Sequence, residues 1–465
     1  MYYITPFIRI YSSIDKLLHN TNESNTFDNC GTKLSIDSLI EADFVCIIGE
    51  PGIGKSRLIE EIKSRIPDKF EYYTAVNFES NLTFSDKEYL IIDALDEVAE
   101  SAFYNKLKSI KDFKESKPKV KLIFSCRKHY VASYATNFTS IKGITFIELD
   151  RLTNDDVEKC LEPCSEIIKK KIAISSSLRE ILRVPRYLEC LLEIKDIQGE
   201  VCNIGELFDN FITNSIKIAI ERSKPELNNK TFIVLIKRTF EKIALIMEIS
   251  RRDQIYKDEL YTILDCVRGN MAQLLLANFD LLFLQSRILK GINDTLQFDN
   301  TEFQEYLAAK ELARHENIES ILYDMAVDKE LKHIHPNWYD VIPHISYSEN
   351  GISKFINIIK LVISYESNID NQSFENLLRY IDPVILSYEQ KTELFNIVVT
   401  SYLRSHPLAY MGSQIITIME GCYTSSCCDV IMPPDFITLN TTQLANYRSI
   451  LEKLRVCLLL NQIKH

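Results

Sequence analysis

The chain has 465 residues, 46% apolar and 26% charged, and a formal charge of −11. Such a length serves about three domains with cores of their own, and the composition is that of a soluble globular protein. The acidic balance argues against a chain-wide grip on nucleic acid, no run approaches the ~18 unbroken apolar residues of a membrane span, and the N-terminus lacks the basic and apolar regions of a signal peptide. The cytoplasm is the expected compartment. The twelve cysteines are scattered. Cys160 with Cys164, or Cys427 with Cys428, lack the C-x2-C spacing of a zinc site, so reduced thiols are expected.

Residues 1–42 are too short for an independent domain and read as a short N-terminal segment. Ile8 to Leu18 suits a strand or a short helix, and the polar run Asn20 to Asn29 reads as a loop. Phe44-Val45-Cys46-Ile47-Ile48 then reads as a buried strand. It leads into Gly49-Glu50-Pro51-Gly52-Ile53-Gly54-Lys55-Ser56, which fits the phosphate-binding pattern G-x-x-x-x-G-K-[ST]. Leu58, Ile59, Ile62 and Ile66 follow at helical spacing until Pro67. Strand, glycine loop and helix are what the chemistry needs. Glycines let backbone N–H groups approach phosphates, and the helix N-terminus adds partial positive charge. Lys55 is then the ligand of the β- and γ-phosphates and Ser56 a ligand of Mg2+, and Arg57 is counted with the loop residues Gly49 to Ser56 as nucleotide-binding. The bland alternative is a chance glycine-rich turn.

Further strands are expected over Glu71 to Phe78, Lys87 to Asp93, Val120 to Arg127 and Ile144 to Leu149, with helical stretches between most of them. The expectation is an α/β core with a mostly parallel sheet over residues 43–152. Asp93 ends its strand where a Walker B carboxylate holds Mg2+. Asp96 and Glu97 follow, placed to orient or deprotonate an attacking water. Capping of the next helix is their bland alternative.

Asp93-Ala94-Leu95-Asp96-Glu97 resembles the Walker B pattern of NACHT NTPases, a branch of the STAND class of signalling ATPases. That resemblance implies an ASCE-type P-loop core that binds ATP or ADP with Mg2+. It also implies that Arg127 serves as the sensor 1 arginine that reads the γ-phosphate. Leu152-Thr153-Asn154-Asp155-Asp156-Val157 is similar to the segment leading into the family's helical domain, here residues 153–253. Val184-Pro185-Arg186-Tyr187-Leu188 is similar to its proline motif, which implies Pro185 near the adenine. Valine stands where a polar residue is usual.

Within 153–253 no strand is expected. Phe208, Phe211, Ile212 and Ile216 share one helical face, as do Phe232, Leu235, Ile236, Phe240, Ile243 and Met247, and both faces are assigned to core. Over 254–315, a helix from Glu259 to Cys266, an apolar helix through Leu274 to Phe279 and a hairpin within Ile288 to Phe298 follow the plan of a winged helix. Phe298-Asp299-Asn300-Thr301-Glu302-Phe303-Gln304-Glu305-Tyr306 resembles the family's winged-helix signature. Asn300 stands where a histidine that contacts ADP phosphates is expected, and Glu302 where Ser or Thr is usual. Asn300 can instead cap the following helix. Residues 316–465 read as a loosely repetitive helical region, with apolar helices through Phe355 to Ile363, Leu394 to Leu403 and Leu444 to Leu460.

The resemblance spans roughly residues 43–315. It implies a nucleotide-switched ATPase that exchanges ADP for ATP, becomes a homo-oligomer when a protein or foreign trigger engages the C-terminal region, and serves microbial antiviral defence. No effector constellation is legible, so the effector is a separate protein or the chain is a shortened form. Two other classes remain open: a nucleotide-gated scaffold with little hydrolysis, and a winged-helix DNA-binding regulator.

Overall fold

In the computed structural model of the protein, the described residues are 7–18, 32–33, 36–79, 84–85, 87–98, 100–162, 164, 166, 169–170, 172, 176–194, 203–223, 230–265, 286, 288–292, 294–328, 330, 333–348, 350–365, 371–381, 383, 386–404 and 422. The chain divides into two compact units, residues 1–307 and 308–465.

The first unit is organised on a seven-stranded sheet of order β2-β1-β7-β3-β6-β5-β4. Its strands are β1 (Phe7–Tyr11), β2 (Thr32–Lys33), β3 (Phe44–Gly49), β4 (Phe70–Thr74), β5 (Tyr89–Asp93), β6 (Lys121–Arg127) and β7 (Thr145–Leu149). The five strands from β7 to β4 are parallel to one another. Sheets of this kind are covered on both faces, which is why β3 and β5 read as unbroken apolar runs and are buried throughout. Phe44, Cys46 and Ile48 point into one core together with Phe103, Leu107 and Ile110 of the Glu100–Ser116 helix. Val45 and Ile47 point into the other, with Leu58, Ile59 and Ile62 of the Lys55–Arg65 helix. Each of the Phe, Val, Leu and Ile side chains among them, fully buried, contributes about 1.5–3 kcal/mol. Strand residues alternate between faces, so Asp93 on β5 and Ser125 and Arg127 on β6 share the face of the Lys55–Arg65 helix.

Two boundaries differ from the sequence reading. Within 1–42, expected as a separate segment, Phe7–Tyr11 and Thr32–Lys33 belong to the sheet of the core. β1 pairs antiparallel with β7 along Ile8 to Tyr11, and Ile36 and Leu39 join the core beside Val45. A strand whose partner lies over a hundred residues away leaves no local sign of the pairing. β4 stops at Thr74 because the chain turns there, with the Asn77 and Phe78 amides both folding back onto the Thr74 carbonyl at 3.0 Å.

Beyond the sheet, Thr153 starts the Asn154–Leu161 helix with a capping box: its side chain accepts from the Asp156 amide, and Asp156 accepts from the Thr153 amide. The helices Ile204–Ser223 and Lys230–Ser250 pack on one another. Of the residues assigned to their core faces, Phe208, Phe211, Ile212, Ile216, Phe232, Ile236, Phe240, Ile243 and Met247 are buried, and Leu235 is half-buried. Next come the Lys257–Asp265 helix and a three-stranded antiparallel sheet of Ile255–Tyr256, Thr295–Phe298 and Leu289–Ile292. The hairpin is therefore present. The helix expected through Leu274 to Phe279 lies outside the described residues.

In the second unit, helices cover Ile318–Ala326, Gly351–Tyr365, Asn371–Leu378 and Tyr388–Arg404, with a short helical stretch over Trp338–Val341. These include the expected stretches Phe355 to Ile363 and Leu394 to Leu403. A two-stranded pair, Val327–Asp328 with His333–Ile334, was not legible in so few residues. Leu444 to Leu460 lies outside the described residues. Among the described residues no helix is long and apolar enough to cross a membrane.

Candidate nucleotide-binding site

The glycine loop joins β3 to the Lys55–Arg65 helix at the carboxyl edge of the sheet. Two of its glycines take left-handed angles, Gly52 at φ 70° and Gly54 at φ 102°, and a Cβ on Gly49 would lie 2.7 Å from the Ile53 side chain. No side chain caps the helix that starts at Lys55, so its first-turn N–H groups are left to the loop side. Pro51 and Ile53 are buried, while Ser56 and Arg57 are exposed on the first turn. Lys55 Nζ donates to the carbonyls of Gly49 at 3.0 Å and Glu50 at 3.1 Å. Burial pulls its ammonium below the ordinary lysine value, opposed by the attraction of Asp96. The Glu50 carboxylate is gripped by Arg151, with Nη2 to Oε2 at 2.8 Å and Nε to Oε1 at 3.2 Å, which ties the loop to the segment after β7.

Asp93, 6% exposed, accepts a short hydrogen bond from Ser125 Oγ, and Ser125 Oγ accepts from the Ala94 amide at 2.8 Å. Ala94 sits at φ 58°, turning the chain from β5 into the single helical turn Leu95–Glu97. The position of Asp96 changes the role expected of it. One carboxylate oxygen accepts from the Arg127 amide at 3.0 Å and the other meets Arg127 Nε at 2.9 Å. Asp96 thus holds Arg127 instead of standing open to an attacking water. Burial, then the charges of Asp96 and Asp253, push the carboxyl of the neighbouring Glu97 up to about 8. Arg127 is buried at the end of β6. Its Nη1 pairs with Glu305 Oε1 at 2.6 Å and its Nη2 donates to Thr301 Oγ1 at 2.9 Å.

Pro185 is the first residue of the Pro185–Glu193 helix, where its fixed φ and missing N–H suit a helix start. Its neighbours back the glycine loop. The Arg186 amide donates to the Gly52 carbonyl at 3.2 Å, and a Cβ on Gly52 would lie 2.9 Å from Arg186 Cβ, 3.2 Å from Glu302 Oε2 and 3.3 Å from Val184 Cγ1. Tyr187 donates to Glu302 Oε1, so the Pro185–Glu193 and Thr301–Leu312 helices meet behind Gly52. Asn300 takes the capping role: its Oδ1 accepts from the Glu302 amide at 2.7 Å.

The structure therefore gathers the glycine loop, Asp93, Asp96, Glu97 and Arg127 along one sheet edge, with Val184, Arg186 and Glu302 against the loop. Sequence reasoning gave no role to Ser125, Thr301 or Glu305. The only sign of Ser125 was a hydroxyl two residues before a strand-end arginine, in a run otherwise apolar.

No family model matches this chain, and neither does any curated protein. Among solved structures it is similar to a point mutant of RuvB from Thermotoga maritima, at 15% identity and a TM-score of 0.23 over 55% of this chain and 84% of that one. It is also similar to the Orc1 protein of Aeropyrum pernix in complex with DNA, at 12% identity and a TM-score of 0.25 over 62% and 91%. Likeness this distant assigns no activity. The chain's own geometry has to carry that.

Proposed function

We propose that the chain is a NACHT-type STAND ATPase, a switch that holds ADP at rest, exchanges it for ATP and then assembles. The observation that carries this reading is the meeting of the glycine loop, Asp93 and Arg127 on one edge of a parallel sheet, with β6 between the loop strand and the acid strand as the ASCE arrangement requires. The residues fit a nucleotide with Mg2+. Two left-handed glycines shape an anion cradle, an uncapped helix start supplies N–H donors, and Lys55 rests on two loop carbonyls from which it can turn to phosphate oxygens. Ser56 and Asp93 would hold Mg2+, whose charge offsets that of the phosphates. Glu97 would accept the proton of the attacking water. Its raised carboxyl weighs against the ionised form that this step needs, which suits slow turnover and equally supports the second reading, a nucleotide-gated scaffold that hardly turns over.

The winged-helix assignment of 254–315, assembly into a homo-oligomer, a trigger at the C-terminal region, a separate effector, a cytoplasmic setting and antiviral defence belong to this proposal by family resemblance. Lys55→Ala tests its base. The variant should lose ADP and ATP binding by calorimetry while melting normally, and undiminished affinity would refute the site. Glu97→Gln should keep ATP bound and stop turnover. Turnover at the parental rate would remove Glu97 from the chemistry, and a parent without turnover would favour the scaffold.

A further inference from the structure

Arg127 is held from two sides. Asp96 takes its Nε and its backbone N–H from within the sheet domain, while Thr301 and Glu305 take Nη2 and Nη1 from the Thr301–Leu312 helix. Thr301 and Glu305 are four residues apart, so they lie one above the other on one helix face and form a paired acceptor for one guanidinium. Phe303 and Tyr306 of the same helix point elsewhere, into rings of Phe208 and Phe211 with centroids 5.1–5.4 Å apart. The helix thus has an aromatic attachment to Phe208 and Phe211 and a separate ionic one to Arg127.

The ionic attachment is the informative one. The side chains of Arg127, Asp96 and Glu305 are only 6–7% exposed, and together they already place two negative charges on one positive charge. A guanidinium binds carboxylate and phosphate through the same planar fork. A terminal phosphate reaching Arg127 meets the Glu305 carboxylate at close range in a poorly solvated site, where like charges repel strongly. The Glu305 carboxylate and a terminal phosphate therefore compete for Arg127.

We propose that Glu305 and Thr301 are specificity-determining residues that set the preference for a nucleoside diphosphate over the triphosphate, by holding Arg127 with acceptors that a terminal phosphate must displace. This rests on the nucleotide reading of the site. A diphosphate leaves the pair intact, whereas the triphosphate gains Arg127 only by giving up the contact to the Thr301–Leu312 helix. Its apparent affinity is lowered by the strength of that contact.

The test is calorimetry on the full chain with Mg2+, comparing ADP with a non-hydrolysable ATP analogue. In Glu305→Gln, which keeps the shape and removes the charge, the analogue should gain about tenfold in affinity relative to ADP. In Thr301→Val, which keeps the volume and loses the acceptor, the gain should be about two- to threefold. A purely structural ion pair would instead move both nucleotides alike. Equal shifts, or none, in a variant that melts normally would overturn the proposal while leaving the nucleotide site standing. If Glu305→Gln does not fold, an unchanged ratio in Thr301→Val overturns it. A parent chain that binds neither nucleotide would remove both the site and the proposal.

Discussion

At the sheet edge, Asp93, Ser125 and Arg127 are set by neighbouring strands in register, Ile92 beside Phe124 and Ile48 beside Cys126. On the Thr301–Leu312 helix, Thr301 and Glu305 reach the same Arg127 from 174 and 178 residues along the chain. The first region owes its geometry to rules acting within a few residues: alternation, a glycine loop, a helix start. The second owes its geometry to how a distant helix docks. The difference teaches that the chemical groups of this site are fixed locally and their partners globally, so the two should fail differently when altered.

Arg127→Ala should be the most damaging change, because it removes the guanidinium that pairs with the buried carboxylates of Asp96 and Glu305. A loss of about 3–5 kcal/mol in urea unfolding is expected. A loss below about 1 kcal/mol would mean that the distant helix is not anchored through this residue. Glu97→Gln sharpens the comparison through pH. The folded-state value of Glu97 is raised from 4.5 to about 8, so its contribution is fully present below about pH 4.5 and is lost as pH rises through about 8. Parent and variant should melt together at about pH 4, and the variant should be the more stable by about 2 kcal/mol at about pH 9, screening at a part-exposed carboxyl limiting the effect. Curves that stay parallel across that range would place Glu97 in water.

Gly52→Ala probes the point where the two regions touch the loop. Its φ of 70° and the 2.9 Å approach to Arg186 Cβ should cost about 1–3 kcal/mol, read by thermal melting. An unchanged melt would show that the loop is not backed there. The smallest effect is expected at a purely local device. Thr153→Ala removes the capping box at a cost of about 1 kcal/mol, with nucleotide affinity unaltered.

Legibility followed the same division. The strands ending at Asp93 and Arg127 could be read to within a residue or two because buried parallel strands write themselves as apolar runs, and the glycine loop because its angles demand glycine. Asp96 could be seen as an acid near the nucleotide, but not as the partner of Arg127, since a carboxylate's spacing from Asp93 does not say which cation will dock beside it. Asn300 could be read either as a cap or as a phosphate contact, and only the bond to the Glu302 amide shows the capping role. Glu302 carries a contact that its place in the sequence did not show: it accepts from Tyr187 behind Gly52.

The central claim is that nucleotide state governs assembly, and the particle mass of the full chain in solution tests it most directly. With ADP and Mg2+ the mass should be that of one chain. With a non-hydrolysable ATP analogue, most readily in Glu305→Gln, a multiple of that mass should appear. The same mass in both nucleotides, in parent and variant alike and with binding of both confirmed by calorimetry, would contradict the account.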